Sequence, residues 1–351
     1  MIRRRAEARQ IQCCLAAVLA AQLLLLASPA LADAGISTPD IFSPVSTPAF
    51  AIRDLAWLVI GICGAIFLLV GGLLAFAIVR FRARAGDPPG EPPQVYGSGP
   101  IELAWTIVPA IICFVLFLAT ARSILELQKE TPPAGWLQVE VTGHQWWWEF
   151  RYPELGVVTA NELHLPVSTP EEKRPTYLSL QSADVIHSFW VPQLSGKQDA
   201  VPAKTNGLWY EPVVPGTYVG QCAEYCGTQH AGMLIRVVVH PPGEFERWVE
   251  EQRKPAVEDP RVAEGRAIFQ ETACINCHRI TGTVADGRFG PDLTHLMSRQ
   301  TLAAGLVRND RDNLKRWVTD PDHVKPGALM PAMNLDEKQL DRVVAYLMTL
   351  R

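Results

Sequence analysis

The sequence predicts a multidomain chain in which a two-helix membrane hairpin, an all-β domain and an all-α domain follow one another. Two long apolar runs without charge come first, then a stretch of short β-branched and aromatic runs broken by Pro and Gly. A C-terminal stretch with apolar residues at helical spacing completes the pattern. A chain of 351 residues has room for two or three domains, and 48% hydrophobic residues with a mean hydropathy of +0.08 fit one only partly exposed to water. The formal charge of −4 supplies no basic field, which argues against nucleic acid as a partner.

Arg3, Arg4, Arg5 and Arg9 precede an apolar run from Cys13 to Ala27 and the small-residue site Ala30-Leu31-Ala32. These are the three parts of a secretory signal, with cleavage expected after Ala32; the run is short for the alternative, a first membrane anchor. Residues 33–130 should form the hairpin, with spans at about 55–79 and 103–121. Arg80, Arg82 and Arg84 follow the first span and should stay cytoplasmic. Pro109 inside the second is tolerated where neighbours satisfy the freed carbonyl. The Gly- and Pro-rich connection at 86–100 then lies inside, and everything after Arg122 outside.

Residues 131–253 should form the all-β domain, with runs at Leu137 to Thr142, Thr176 to Gln181, Gly216 to Gln221 and Met233 to His240. Pro241-Pro242 ends it, and Glu244 to Arg253 reads as a short helix turning Phe245, Trp248 and Val249 toward the sheets. A linker is expected at 254–259. Residues 260–351 read as helical, opened by Asp259-Pro260 and closed by a helix whose capping box is Asp336 and Gln339, with Leu340, Val343, Val344 and Leu347 on one face.

Of eight cysteines, Cys13 and Cys14 fall in the leader, and Cys63 and Cys113 in apolar runs where a small buried hydrophobe is the ordinary reading. Two pairs remain. Cys274-Ile275-Asn276-Cys277-His278 is the C-x-x-C-H pattern, in which two thiols form thioethers to haem and the adjoining imidazole binds iron. A zinc or redox pair is the competing reading; the adjoining His, the secreted context and the helical surroundings favour haem c. The loop Lys325-Pro326-Gly327-Ala328-Leu329-Met330-Pro331 offers a thioether as sixth ligand, with Met333 as runner-up and Met297 and His323 as further candidates.

Cys222-Ala223-Glu224-Tyr225-Cys226-Gly227-Thr228-Gln229-His230-Ala231-Gly232-Met233 gathers two thiolates, an imidazole and a thioether in one loop, a soft donor set suited to copper. A Cys222–Cys226 disulfide and a zinc site compete. The first leaves His230 and Met233 unexplained, and zinc rarely recruits Met.

The C-terminal stretch resembles class I cytochromes c. That resemblance implies a Gly-x-x-Met-Pro loop giving Met330 to the iron, Pro291 of Gly290-Pro291 holding the proximal imidazole through its carbonyl, and crossing helices packed at Gly265, Phe269 and Tyr346. The copper loop, C-x-E-x-C-G-x-x-H-x-x-M, resembles cytochrome c oxidase subunit II, so the β-domain is expected to be cupredoxin-like. The resemblance implies a dinuclear copper centre held by Cys222, Cys226, His230, Met233, the Glu224 carbonyl and His187 of Asp184-Val185-Ile186-His187-Ser188-Phe189. It also gives the Glu224 side chain a magnesium ion at the contact with subunit I.

Gly143-His144-Gln145-Trp146-Trp147-Trp148 resembles the family's aromatic run, which makes Trp146 the point of electron arrival; core filling by strand aromatics is the plainer reading. The family has Tyr in the middle of this run and this chain has Trp147. Glu102 matches the acid at a proton-channel mouth, and on physics alone is an interfacial carboxylate. The function implied is electron input to a terminal oxidase of a bacterial inner membrane, multi-pass, with both metal domains periplasmic. Its partners would be subunit I, subunit III and an upstream cytochrome or quinol–cytochrome complex. The alternatives are a nitric-oxide reductase with the same copper module and a metal-free subunit of a quinol oxidase.

Overall fold

The computed structural model describes residues 36–37, 39–82, 90–91, 94, 96–128, 131–257 and 259–351. The signal peptide expected at 1–32, Arg84 and part of the 86–100 connection lie outside the described residues. In the unit of residues 1–37, the described part is a two-residue strand, β1 (Ile36–Ser37). The second unit, 38–351, holds everything that follows.

Two long helices, α1 (Thr47–Arg80) and α2 (Gly99–Leu127), form the hairpin. At about 1.5 Å per residue both exceed the roughly 30 Å hydrocarbon core of a bilayer. Their large apolar side chains face outward on all sides, the signature of a lipid-facing helix. Helix α1 starts before the apolar run, at Thr47, because Arg53 and Asp54 end the run without ending the helix; Pro48 opens it. The roots of the hairpin are tied to the β-domain: the Trp209 indole donates to the Leu127 carbonyl at 2.8 Å, and the Thr47 N–H to the Glu211 carbonyl at 3.2 Å.

Ten strands build a two-sheet sandwich: β2 (Leu137–His144), β3 (Trp147–Tyr152), β4 (Val157–Ala160), β5 (Glu162–Pro166), β6 (Thr176–Ser182), β7 (His187–Trp190), β8 (Gln198–Ala200), β9 (Asn206–Tyr210), β10 (Gly216–Cys222) and β11 (Leu234–His240). One sheet runs β4-β3-β2-β6-β9, the other β5-β11-β10-β7-β8. Strand alternation puts Val139 and Val141 of β2 opposite Ile235, Val237 and Val239 of β11 in one core with Trp148, Phe150 and Phe189. Helix α3 (Glu244–Gln252) closes this core with Phe245 and Val249, against which Trp248 packs.

The C-terminal domain has its own core. Helix α4 (Ala263–Glu271) crosses α8 (Glu337–Leu347) where Gly265 has no side chain; a Cβ there would sit 2.0 Å from the Arg342 carbonyl oxygen. The Phe269 and Tyr346 rings meet edge to face at 5.7 Å beside that crossing. Between them lie α5 (Cys274–Cys277), α6 (Arg311–Thr319) and α7 (Pro321–Val324). The capping box of Asp336 and Gln339 is formed at the start of α8. A small hairpin, β12 (Thr301–Leu302) and β13 (Val307–Arg308), interrupts the helical pattern that the sequence displays.

Candidate metal centre and haem cleft

The thiol pair lies where two strands of one sheet end. Cys222 closes β10 opposite Phe189 of β7, and β7 opens with His187, so register alone brings the imidazole to the thiol. Gly143 makes room: a Cβ there would be 2.8 Å from the His187 ring. Both cysteines are buried and free, with sulfurs 3.8 Å apart. His187 Nδ1 lies 4.0 Å from the Cys222 sulfur, and His230 Nδ1 3.6 Å from that of Cys226. The Met233 sulfur is 3.9 Å from Cys226, and the Glu224 carbonyl 3.2 Å from Cys222. All six donors named from the sequence therefore converge. A metal–thiolate bond of about 2.3 Å, the length for zinc, lets one ion touch both sulfurs across that gap.

The electrostatics suit a cation. Cys222 is driven down, first by its hydrogen bond with the Cys226 thiol and further by His187, while the same bond pushes Cys226 up. The pair thus gives up its first proton readily and the second reluctantly. Burial alone would lower His187, but bonds to Cys222 and Asp184 outweigh it and raise the imidazole overall. Asp184 Oδ1 accepts from His187 Nε2 at 2.8 Å, which leaves Nδ1 as the lone-pair nitrogen aimed at the sulfurs. Sequence reading had Asp184 within the motif and gave it no task.

The second site is a cavity of about 320 Å³ with apolar walls. Cys274, Cys277 and His278 line it, as do Met330 and Met333; Met297 and His323 do not. The His278 Nδ1–H donates to the Pro291 carbonyl at 2.8 Å, so Nε2 is the nitrogen left for a metal. Gly290 is required here, since a Cβ would come within 2.6 Å of the imidazole. A planar apolar macrocycle held by two thioethers fits this donor set and lining. Arg299, unmarked in the sequence by any motif, is buried in the same wall; it donates to the Asp292 carbonyl, while its Nε has no partner.

The β-domain also lines this cavity, through His144, Gln145, Trp146 and Trp147. Trp146 connects the two sites: its indole N–H donates to the Cys226 carbonyl at 3.0 Å, and the Gln145 amide donates to the same oxygen at 2.8 Å. Glu102 is remote from both, in the first turn of α2, where it accepts the Ser98 N–H at 3.1 Å and faces the positive end of the helix dipole.

Three family models match the chain in succession: cytochrome c oxidase subunit II, transmembrane domain, over 35–122; its periplasmic domain over 160–240; and cytochrome c over 262–351. Cytochrome c oxidase subunit 2 of Alkalihalophilus pseudofirmus is 34% identical over 318 residues, covering 88% of this chain and 90% of that one. The chain belongs to the cytochrome c oxidase subunit 2 family. The subunit 2 of Bacillus sp. strain PS3 is 35% identical, covering 77% of this chain and 80% of the relative. Among solved structures, the periplasmic domain of subunit II from Bradyrhizobium japonicum is 32% identical over 35% of this chain and 96% of its own, with a TM-score of 0.32. Membership makes the chain a membrane-anchored oxidoreductase subunit of a multisubunit haem–copper oxidase, paired with subunit I and carrying a fused cytochrome c domain. The matches point to copper in the sandwich and haem c in the C-terminal domain.

Proposed function

We propose that this chain is the electron-input subunit of a terminal oxidase in a bacterial inner membrane, passing electrons by way of haem c and a dinuclear copper centre to subunit I, where oxygen is reduced to water with proton translocation. Bound haem and copper would supply reversible one-electron exchange. Trp146 carries the reading: its indole donates to the backbone of Cys226 while its residue walls the haem cavity, so it touches both candidate sites.

The chain's own residues would hold and insulate the two groups. Cys222, Cys226, His187, His230, Met233 and the Glu224 carbonyl would hold two coppers. Asp184 fixes the His187 tautomer. Cys274 and Cys277 would hold the haem covalently, and His278 and Met330 would hold its iron, a Met thioether raising the reduction potential. The orphaned Arg299 Nε fits an acidic haem substituent. The Glu224 side chain would hold magnesium against subunit I, and Glu102 would stand at the mouth of a proton channel. Subunit III and an upstream cytochrome or quinol–cytochrome complex complete the proposed surroundings.

Metal analysis and electron spin resonance of the isolated chain test the core of this reading. It requires two coppers and one haem c per chain, with a seven-line mixed-valence copper signal. A single copper with a four-line signal, or none, would overturn the dinuclear assignment.

A further inference from the structure

Two buried side chains of opposite charge cross between the sandwich and the cytochrome domain in opposite directions. Glu162 of β5, 1% exposed, belongs to the sandwich and accepts the backbone N–H groups of Gln300 at 2.8 Å and Thr301 at 3.0 Å. It also accepts the Thr301 hydroxyl at 3.2 Å. Lys325, 3% exposed, belongs to the cytochrome domain and donates to the carbonyls of Trp146 at 2.7 Å and Gly232 at 2.9 Å in the sandwich. Its third proton goes to Ala303 of its own domain at 3.2 Å, so an ammonium's three donors are all used. Charges held by backbone groups in this way are strong and directional, and costly to leave unmatched.

Between these contacts lies the β12–β13 turn. Ala303 and Ala304 both have left-handed backbone, φ 53° and 61°, a conformation that costs any non-glycine residue free energy. Such strain persists where the surroundings over-determine it. The surroundings here are the docking contacts: the Ala303 carbonyl is taken by Lys325, and the Ala304 carbonyl by the Leu234 N–H of β11 at 3.1 Å. The Gln229 amide adds a bond to the Pro326 carbonyl at 2.7 Å, beside Lys325.

We propose that Glu162 and Lys325 form a reciprocal latch holding the cytochrome domain in one docked position, its haem cleft against Trp146, so that electrons cross a fixed contact. Collisions at the end of a tether would then play no part. The inference rests on the proposed electron path and deepens it. Lys325 is a positioning residue: it grips the carbonyl of the tryptophan whose indole meets Cys226, it holds the residue before Met233, and it precedes Met330 by one short loop.

The test uses the full, cofactor-loaded chain and the variants Lys325→Met, which keeps side-chain length and loses the donors, Glu162→Leu, and Glu162→Gln, which keeps an acceptor oxygen. Amide hydrogen exchange at Gln300, Thr301 and Leu234 should speed at least tenfold in Lys325→Met and Glu162→Leu and stay near wild type in Glu162→Gln. Haem-to-copper transfer after rapid photoreduction of the haem should slow at least tenfold in the first two. In those two it should also become sensitive to Gly-Ser residues inserted beside the exposed Val257, while the wild-type rate ignores the insertion. Copper and haem spectra should not move. Wild-type exchange and transfer in Lys325→Met, or a wild-type rate that falls with the insertion, would overturn the latch. A copper spectrum altered by Lys325→Met would also overturn it, by giving Lys325 a local role in the metal loop. If the wild-type chain shows no haem-to-copper transfer at all, the electron path fails, and hydrogen exchange still judges the latch separately.

Discussion

Asp184 acts on His187 by accepting a hydrogen bond from one ring N–H, which leaves the other nitrogen to present its lone pair to the thiols. Asp184→Asn can offer an amide donor to the same nitrogen and so permits the wrong tautomer. Copper affinity should fall about tenfold to a hundredfold, read by competition with a chelator of known affinity; an unchanged affinity would mean the loop fixes the ring without help. At the haem cleft Met330 and Met333 both line the cavity. Met330→Ala should abolish the absorption band of Met-ligated haem while leaving the haem covalently attached; unchanged spectra would transfer the role to Met333. The two cysteine pairs, His230, Met233 and His278 were legible because each motif is local, its donors held within a few residues. Asp184 and Arg299 were not, since what each does depends on a loop folding back.

At the scale of elements, short β-branched and aromatic runs between Pro and Gly announced β2, β6, β10 and β11 within a residue or two, and the capping box announced α8. The β12–β13 hairpin went unannounced, because strands of two residues carry no periodicity and Ala303-Ala304 is not a turn signal. Elements also carry the clearest pH dependence. His164 of β5 and His240 of β11 share a 2.8 Å hydrogen bond under the Trp248 ring. Burial lowers both imidazoles; His240 and Arg299 lower His164 further, while Glu244 and Glu246 pull His240 partly back. Protonation therefore favours the unfolded chain. The stability this pair contributes is complete above the ordinary histidine value of about 6.5 and drains away as pH falls through the lowered ones. The sandwich's melting temperature should drop between about pH 7 and pH 5, and His240→Gln should make that drop shallower. An identical pH profile in the variant would assign the loss to other groups.

At the scale of the whole molecule, three modules were readable and their arrangement was not. Glu162 and Gln300 lie 138 residues apart, and no local pattern marks a carboxylate in a buried strand or a lysine in a loop as halves of one contact. Lys254 and Ala256, in the segment 254–259 expected as a linker, are themselves pinned: the Ala256 N–H donates to the Thr281 carbonyl, and the Lys254 carbonyl accepts from His295. Removing 260–351 should therefore cut oxygen uptake with the native donor severalfold or more and bare the Trp147 and Ala160 surface against which Ala304 packs. Turnover equal to that of the intact subunit would show that the donor reaches copper unaided. The same packing constrains biogenesis. Trp146 and Trp147 line the cleft together with Cys274 and Cys277, so an enzyme that joined haem to those thiols would find the cleft less covered before the domains meet than after. The packing thus favours an order of maturation, haem attachment ahead of docking.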